Sequence, residues 1–224
     1  MGPAIGELLP SAIGVALSPV PIIAVILVLG TPKSGSSGPA FAFGWIAGLA
    51  VVAVVIVLAG GGADDPDSGT STAVDIVTLL LGVLFLVMAL RQWRKRPRRG
   101  REAEMPAWML TIDRVTPARS LVLGGALSGL NPKNLALTLA AATSIAEFGL
   151  DGVGTAVSLL VFVLVGSLTV AGPVVFDVLA GERAAAPLAA IKEFLAAHNT
   201  VIMMTVLLVL GAKLIGKGIG GLTD

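Results

Sequence analysis

Six apolar stretches alternate with short polar or charged segments along the chain. They cover residues 5–30, 40–60, 73–90, 121–146, 153–179 and 200–215. About 20 apolar residues are enough for a helix to cross the hydrocarbon core of a bilayer. The pattern therefore predicts an all-α, polytopic membrane protein with six transmembrane helices. Within the second stretch, Gly44 and Gly48 are spaced so that another helix can approach closely.

The composition agrees with this fold class. Of the 224 residues, 55% are hydrophobic and only 13% are charged, and the mean hydropathy is +0.95. Soluble domains carry about 25% charged residues. The chain has no Cys and a single His, which excludes disulfides, thiolate metal sites and histidine metal clusters. We expect neither a metal nor a cofactor.

The basic residues are concentrated in one connector. Nine of the 15 Lys and Arg residues lie between Arg91 and Arg119. The positive-inside rule places this connector in the cytoplasm and, with three spans on each side, both termini outside. Beside a membrane helix, such a run binds anionic lipid headgroups more readily than nucleic acid. We therefore expect a multi-pass protein of the inner (plasma) membrane, with no nucleic-acid partner.

A short internal repeat relates the two halves. Residues 14–18 and 124–128 share four of five residues and end in Ala-Leu-Ser, and prolines follow in both segments. Three spans per half give the halves opposite orientations, so we predict two inverted three-helix repeats with broken helices 1 and 4. The first repeat covers residues 1–92, the connector 93–117 and the second repeat 118–224. The second repeat includes an interfacial helix near 184–198.

Lys133 lies within the fourth apolar stretch. An ammonium near the middle of a membrane helix costs roughly 2.5–3.5 kcal/mol. Pro132 gives no N–H to the carbonyl of Ser128, so it breaks or kinks the helix. Asn131 and Asn134 then satisfy the freed backbone groups or face a wet cavity. The competing interpretation is a structural kink whose lysine reaches the membrane surface.

Interrupted spans at corresponding positions of two halves indicate a transporter binding site at the midplane. The candidate substrate-binding residues are Ser18, Pro19, Pro21, Ser128, Asn131, Pro132, Lys133 and Asn134. The sequence contains no phosphate-binding loop of ATPases, so a gradient, a partner or product removal must supply energy. Asp177 is the candidate for proton coupling, and Glu7 is a second one. No nucleophile–base pair or carboxylate pair stands out, so we expect no enzymatic activity.

Three motifs resemble a known family, the actinobacterial GAP (peptidoglycolipid- or sulfolipid-addressing) family of the LysE exporter superfamily. They are Leu-Ser-Pro-Val-Pro-Ile at 17–22, Phe-Ala-Phe-Gly-Trp at 41–45 and Asn-Pro-Lys-Asn at 131–134. The resemblance covers nearly the whole chain. It implies six helices in two repeats and, from its mycobacterial members, export of cell-envelope glycolipids.

Two functions follow from these observations. The first is an exporter or flippase for a membrane lipid or glycolipid, whose headgroup is held at the midplane by Lys133 and the broken helices. The second is a LysE-like exporter of small solutes such as amino acids, because the same lysine would hold a carboxylate. For either, a homodimer or an envelope-biosynthesis protein is the expected protein partner. A metal-ion exporter is disfavoured, because the only membrane-proximal aspartates, Asp75 and Asp177, sit at span ends.

Overall fold

The computed structural model describes residues 1–60, 70–94 and 115–223, and within these ranges the chain is helical, without strands. The segments 61–69 and 95–114 lie outside the described residues, and with them most of the acidic loop and the basic connector. The α-helices of these ranges are α1 (Gly2–Ala16), α2 (Pro19–Leu29), α3 (Ser34–Gly60), α4 (Thr70–Arg94), α5 (Pro117–Gly129), α6 (Pro132–Glu147), α7 (Gly152–Ala180) and α8 (Ala185–Thr223).

Among the described residues, three helical ranges are long and apolar enough to cross a membrane: Ser34–Ala59, Val74–Arg94 and Gly152–Thr223. The pair α1–α2 is bent by 52° at its break and makes a fourth crossing if it is counted as one span. The all-helical membrane protein expected from the sequence is thus confirmed. The arrangement as six spans in two inverted repeats stays a prediction.

The range Gly152–Thr223 folds back on itself. A 3-10 turn, Gly181–Ala184, joins α7 to α8, and Gly181 has a φ of 56°, which favours glycine. On α7, Gly166 packs against Val15 of α1, and on α8, Leu210 packs against Gly14. Because both helices reach adjacent residues of α1, the chain reverses direction between them.

The predicted interfacial segment at 184–198 is continuous with the last apolar stretch. Both belong to α8, a single helix of 39 residues. Near its start Leu188 is buried, whereas Ile191 and Phe194 are exposed. Location of this part at the membrane surface stays a prediction.

Glycines bring α3 and α5 into close contact. A Cβ at Gly44 would overlap the carbonyl oxygen of Leu121, and one at Gly48 would lie 2.9 Å from the carbonyl oxygen of Gly125. The close approach predicted at Gly44 and Gly48 is therefore confirmed. Residue numbers rise together along the contact, so α3 and α5 run parallel.

Glycines also line the contact between α4 and α8. A Cβ at Gly82 would lie 2.7 Å from the backbone nitrogen of Ile215, and one at Gly218 would lie 2.8 Å from that of Leu79. Here the numbers of one helix rise as those of the other fall, so α4 and α8 are antiparallel. Large aromatic side chains fill the core around these contacts, among them Trp45, Phe85 and Phe162.

Candidate functional site

Two helices are interrupted at the positions where the sequence predicts breaks. In the first half, α1 ends at Ala16 and α2 begins at Pro19. In the second half, α5 ends at Gly129 and α6 begins at Pro132. Each proline is the first residue of its helix, where a missing N–H breaks no intrahelical bond. The prolines thus end one helix and begin the next.

The end of α1 has two carbonyl groups without helical donors. Pro21 has no N–H for the carbonyl of Leu17, four residues earlier. The N–H of Ser18 donates to the Ala16 oxygen at 2.9 Å and so is turned away from the carbonyl of Gly14. A buried carbonyl without a partner costs about 1–3 kcal/mol, so both groups require donors from another element.

Lys133 supplies these donors. Its side chain is 1% exposed, and its Nζ donates to the Gly14 oxygen at 2.7 Å and to the Leu17 oxygen at 3.3 Å. The C-terminus of a helix carries a partial negative charge, which further stabilises an ammonium there. The buried position contradicts the interpretation that Lys133 reaches the membrane surface.

Asn134 does the same for the end of α5. Its Nδ2 donates to the Leu127 oxygen at 3.2 Å and to the Ser128 oxygen at 3.5 Å, where Pro132 has left the latter without a helical donor. Its Oδ1 accepts from the Ser18 hydroxyl at 3.5 Å. Adjacent residues in the first turn of α6 therefore complete the ends of two other helices.

We call this group the central junction. It comprises the side chains of Ser18, Lys133 and Asn134 and the carbonyl groups of Gly14, Leu17, Leu127 and Ser128.

The side chains of the other predicted site residues are not part of the central junction. Asn131 caps α6, and its Oδ1 accepts from the backbone N–H of Lys133 at 3.0 Å. The Ser128 hydroxyl donates to the Gly125 oxygen within α5 at 3.0 Å. Pro19 is buried beside the break, whereas Pro132 is exposed. Substrate binding by the eight predicted residues stays a prediction.

Asp177 lies away from the central junction. Eight residues before it on α7, the Thr169 hydroxyl donates to the Ala16 oxygen at 2.6 Å. Eight helical residues span about 12 Å. Thr169 thus belongs beside the junction and Asp177 does not. Sequence reasoning missed Thr169, because a lone threonine in an apolar helix gives no signal.

The ammonium of Lys133 has no counter-charge among the described residues. The ion pairs found in that part of the chain both involve Glu7, with Lys213 and Lys217. Lys133 is balanced by carbonyl dipoles alone, and an ammonium has three N–H donors. Two of these donors reach the Gly14 and Leu17 oxygens.

A second polar group lies at one end of the bundle. One Glu7 carboxylate oxygen is 3.0 Å from Lys213 Nζ and 3.4 Å from Lys217 Nζ. Lys217 also donates to the Ser144 hydroxyl at 3.1 Å. We call Glu7, Ser144, Lys213 and Lys217 the end cluster. It joins α1, α6 and α8.

Comparison with known proteins assigns the family. No curated protein and no solved structure matches this chain. The family model described as "Sap, sulfolipid-1-addressing protein" matches residues 8–220, which include the central junction and, of the end cluster, Ser144, Lys213 and Lys217. The resemblance of the three sequence motifs to this family is thereby confirmed, whereas membership of the LysE exporter superfamily stays a prediction. The chain belongs to the sulfolipid-1-addressing protein family.

Proposed function

We propose that this protein is a transporter that exports a membrane lipid or glycolipid with an anionic headgroup. The observation that carries the proposal is the buried ammonium of Lys133, which has no carboxylate partner among the described residues. The family name refers to a sulfolipid, and a sulfate ester is an anion that an ammonium can hold.

In this mechanism the headgroup binds at the central junction while the acyl chains stay in the bilayer. Lys133 holds the anion, and the side chains of Ser18 and Asn131 donate hydrogen bonds to the neighbouring headgroup oxygens. Leu17 and Leu130, which lie in the two breaks, are 43% and 76% exposed. Their apolar side chains face the region where acyl chains would lie.

The directions of the helices support six crossings in two inverted repeats. Contacts of Glu7 with Lys217 and of Gly14 with Leu210 make α1 antiparallel to α8. Together with parallel α3 and α5, this is the pattern that six alternating crossings produce. The same topology places both termini outside and the basic connector beside anionic lipids of the cytoplasmic leaflet.

The energy source belongs to the same proposal. Asp177 lies on α7 beyond the Pro173 position and is partly buried, so it is a site where a proton could bind during the cycle. Because it lies outside the central junction, coupling would act through movement of α7 and not through direct contact with the headgroup.

Substitution of Lys133 tests the proposal. In proteoliposomes, outward movement of a head-labelled sulfated glycolipid is compared with that of its unsulfated counterpart. Lys133→Gln retains an N–H donor but removes the charge, so movement of the sulfated lipid should fall roughly ten- to hundredfold, the cost of losing a charge-assisted hydrogen bond. Lys133→Arg should retain part of the activity, because the charge persists in a different, planar geometry.

Lys33→Met is the matched control. Lys33 is exposed in the turn between α2 and α3, so its replacement should leave movement of both lipids unchanged. Undiminished movement in the Lys133→Gln variant would overturn the assignment of the headgroup site. Efflux of labelled amino acids without movement of either lipid would overturn the lipid substrate and favour the small-solute exporter.

A further inference from the structure

We propose that Lys213 and Lys217 form a second binding station for an anionic headgroup, and that Glu7 occupies this station in its absence. The station lies in the end cluster, about two helical turns before the central junction on α1. The inference rests on the proposed function, because it concerns the same headgroup at a later point on its path.

The geometry of the two lysines carries the proposal. They are one helical turn apart on α8, so their side chains share a face. Both ammonium groups approach the same Glu7 oxygen, at 3.0 Å and 3.4 Å. The Nζ of Lys213 also donates to the Glu7 backbone oxygen at 3.3 Å. Two convergent ammonium groups form an anion site, and the Glu7 carboxylate takes the position that a sulfate or phosphate would take.

A stripe of residues connects this station to the central junction. On α1 the stripe runs from Glu7 through Ser11 to Gly14, a spacing that keeps these residues on one face, and Ser18 follows in the break. From Glu7 to Ala16, the last residue of α1, is nine residues, or about 14 Å of helix. This is about half of the hydrocarbon thickness of a bilayer. A central junction at the midplane therefore places the end cluster at the membrane boundary.

A similar distance, about 16 Å of helix, separates the two sites on α6. Lys133 belongs to the central junction, and Ser144, eleven residues later, contacts Lys217. Two helices that run in opposite directions thus span the interval between the stations. A headgroup moving along this interval meets an ammonium at each end.

The interval is closed in this structure. The side chains of Leu137 and Leu210 both contact Gly14, so they fill the space on the junction side of Ser11. On the other side, Glu7 ties the first half of α1 to α8. An arriving anion exchanges with the Glu7 carboxylate, so the lysines keep a counter-charge while α1 is released. The break at Leu17 and Ser18 lets this half-helix move separately from α2.

Thiol labelling tests this station without any lipid substrate. The chain has no Cys, so Ser11→Cys introduces a single thiol at a position that is 7% exposed. The reconstituted protein is treated with anionic methanethiosulfonate ethylsulfonate or with its cationic trimethylammonium counterpart. With Glu7 intact, both reagents should react slowly. With Glu7→Gln added, the anionic reagent should react about fivefold faster, the factor that corresponds to about 1 kcal/mol of lost ion pairing.

Charge variants separate the station from a general loss of structure. In the Glu7→Gln background, Lys213→Met with Lys217→Met should remove the preference for the anionic reagent. The exchange Glu7→Lys with Lys213→Glu keeps the number of charges and should restore slow labelling. Glu193→Gln, on an exposed part of α8 outside the end cluster, is the matched control and should change nothing.

Two outcomes would overturn the proposal. Equal labelling rates with Glu7 and with Gln at position 7 would show that Glu7 does not close the interval. If the cationic reagent reacts faster than the anionic reagent in the Glu7→Gln variant, an anion station is excluded. Neither result depends on Lys133, so a failure here is distinguishable from a failure of the lipid-flux test.

Discussion

Two adjacent side chains, Lys133 and Asn134, complete helices to which they do not belong. Lys133 bonds the end of α1 across a sequence separation of 119 residues, and Asn134 bonds the end of α5. Both sets of acceptors are carbonyl groups that prolines or the helix end have left without donors. The side chains that make these contacts therefore stabilise the fold, and in the proposed function they are also the groups that bind the headgroup.

Asn134 gives a prediction about stability. Asn134→Leu keeps an approximately equal volume but leaves the carbonyls of Leu127 and Ser128 and the Ser18 hydroxyl without their partner. Each buried unsatisfied group costs about 1–3 kcal/mol, so the variant should be destabilised by about 2–4 kcal/mol after partial relaxation. The measurement is thermal or denaturant unfolding of the purified protein in detergent.

Thr138→Val is the matched control for Asn134→Leu. The Thr138 hydroxyl donates to the Asn134 backbone oxygen within α6, and that oxygen retains the helical N–H of residue 138. Its loss should cost under about 1 kcal/mol. Equal stability of the two variants would contradict a structural role for the Asn134 amide.

The sequence predicts the donors of the central junction better than their acceptors. Lys133 and Asn134 stand out because they are polar in an apolar stretch beside a proline. Their acceptors are backbone groups, which any residue type provides, so only tertiary structure identifies them. The pairing of Glu7 with Lys213 could not be predicted either, because 206 residues separate them and only tertiary structure brings them together. By their charge alone, the two lysines contradict the positive-inside rule at an end that the six-span topology predicts to be external, and the structure gives them a carboxylate partner.

At the scale of the helices, local signals predicted the breaks and the glycine contacts. Pro19 and Pro132 begin helices because proline tolerates the first helical turn and terminates the helix before it. The segment at 184–198 was predicted as a separate interfacial helix, but it continues into the last apolar stretch. No residue between the two segments ends a helix. Continuity of a helix is the default unless a proline, glycine or capping residue interrupts it.

The contact between α3 and α5 gives a prediction at this scale. A Cβ at Gly124 would overlap the carbonyl oxygen of Phe41, and a backbone group cannot move aside as a flexible side chain can. Gly124→Ala should therefore destabilise the protein by about 1–3 kcal/mol, which is typical of overpacking. Because α5 leads into the central junction, lipid movement should fall as well.

Gly216→Ala is the control for Gly124→Ala. Gly216 lies inside α8 with open space at its Cβ position. Alanine is more favourable than glycine in a helix by about 0.8–1 kcal/mol, so this variant should be equally stable or slightly more stable. The measurement is the free energy of unfolding, in detergent, of the parent protein, the Gly124→Ala variant and the control variant. A Gly124→Ala variant as stable as the parent would mean that α3 and α5 can separate without cost.

At the scale of the whole molecule, the helix contacts between the two halves are reciprocal. The helix α3 of the first half packs along α5 of the second, α7 of the second packs along α1 of the first, and α4 packs along α8. Two halves related by a twofold axis in the membrane plane would exchange contacts in this reciprocal way. Most of the basic connector, from which the orientation is predicted, lies outside the described residues, so the orientation is best measured directly.

Two exposed glycines provide that measurement. Gly35 lies at the start of α3 and Gly152 at the start of α7, and both have open space at the Cβ position. Gly152 is preferable to its neighbour Asp151, whose Oδ1 caps α7 by accepting from Gly154 at 2.6 Å.

Three crossings separate the two positions in the six-span topology, so they lie on opposite sides. A membrane-impermeant maleimide applied to intact cells should label Gly152→Cys, whereas Gly35→Cys should react only after permeabilisation. The chain has no Cys of its own to add background. Labelling in the reverse order would mean that the positive-inside rule assigned the wrong orientation to a correct fold. Labelling of both positions from one side would remove a crossing between them, and the inverted repeat would fall with it.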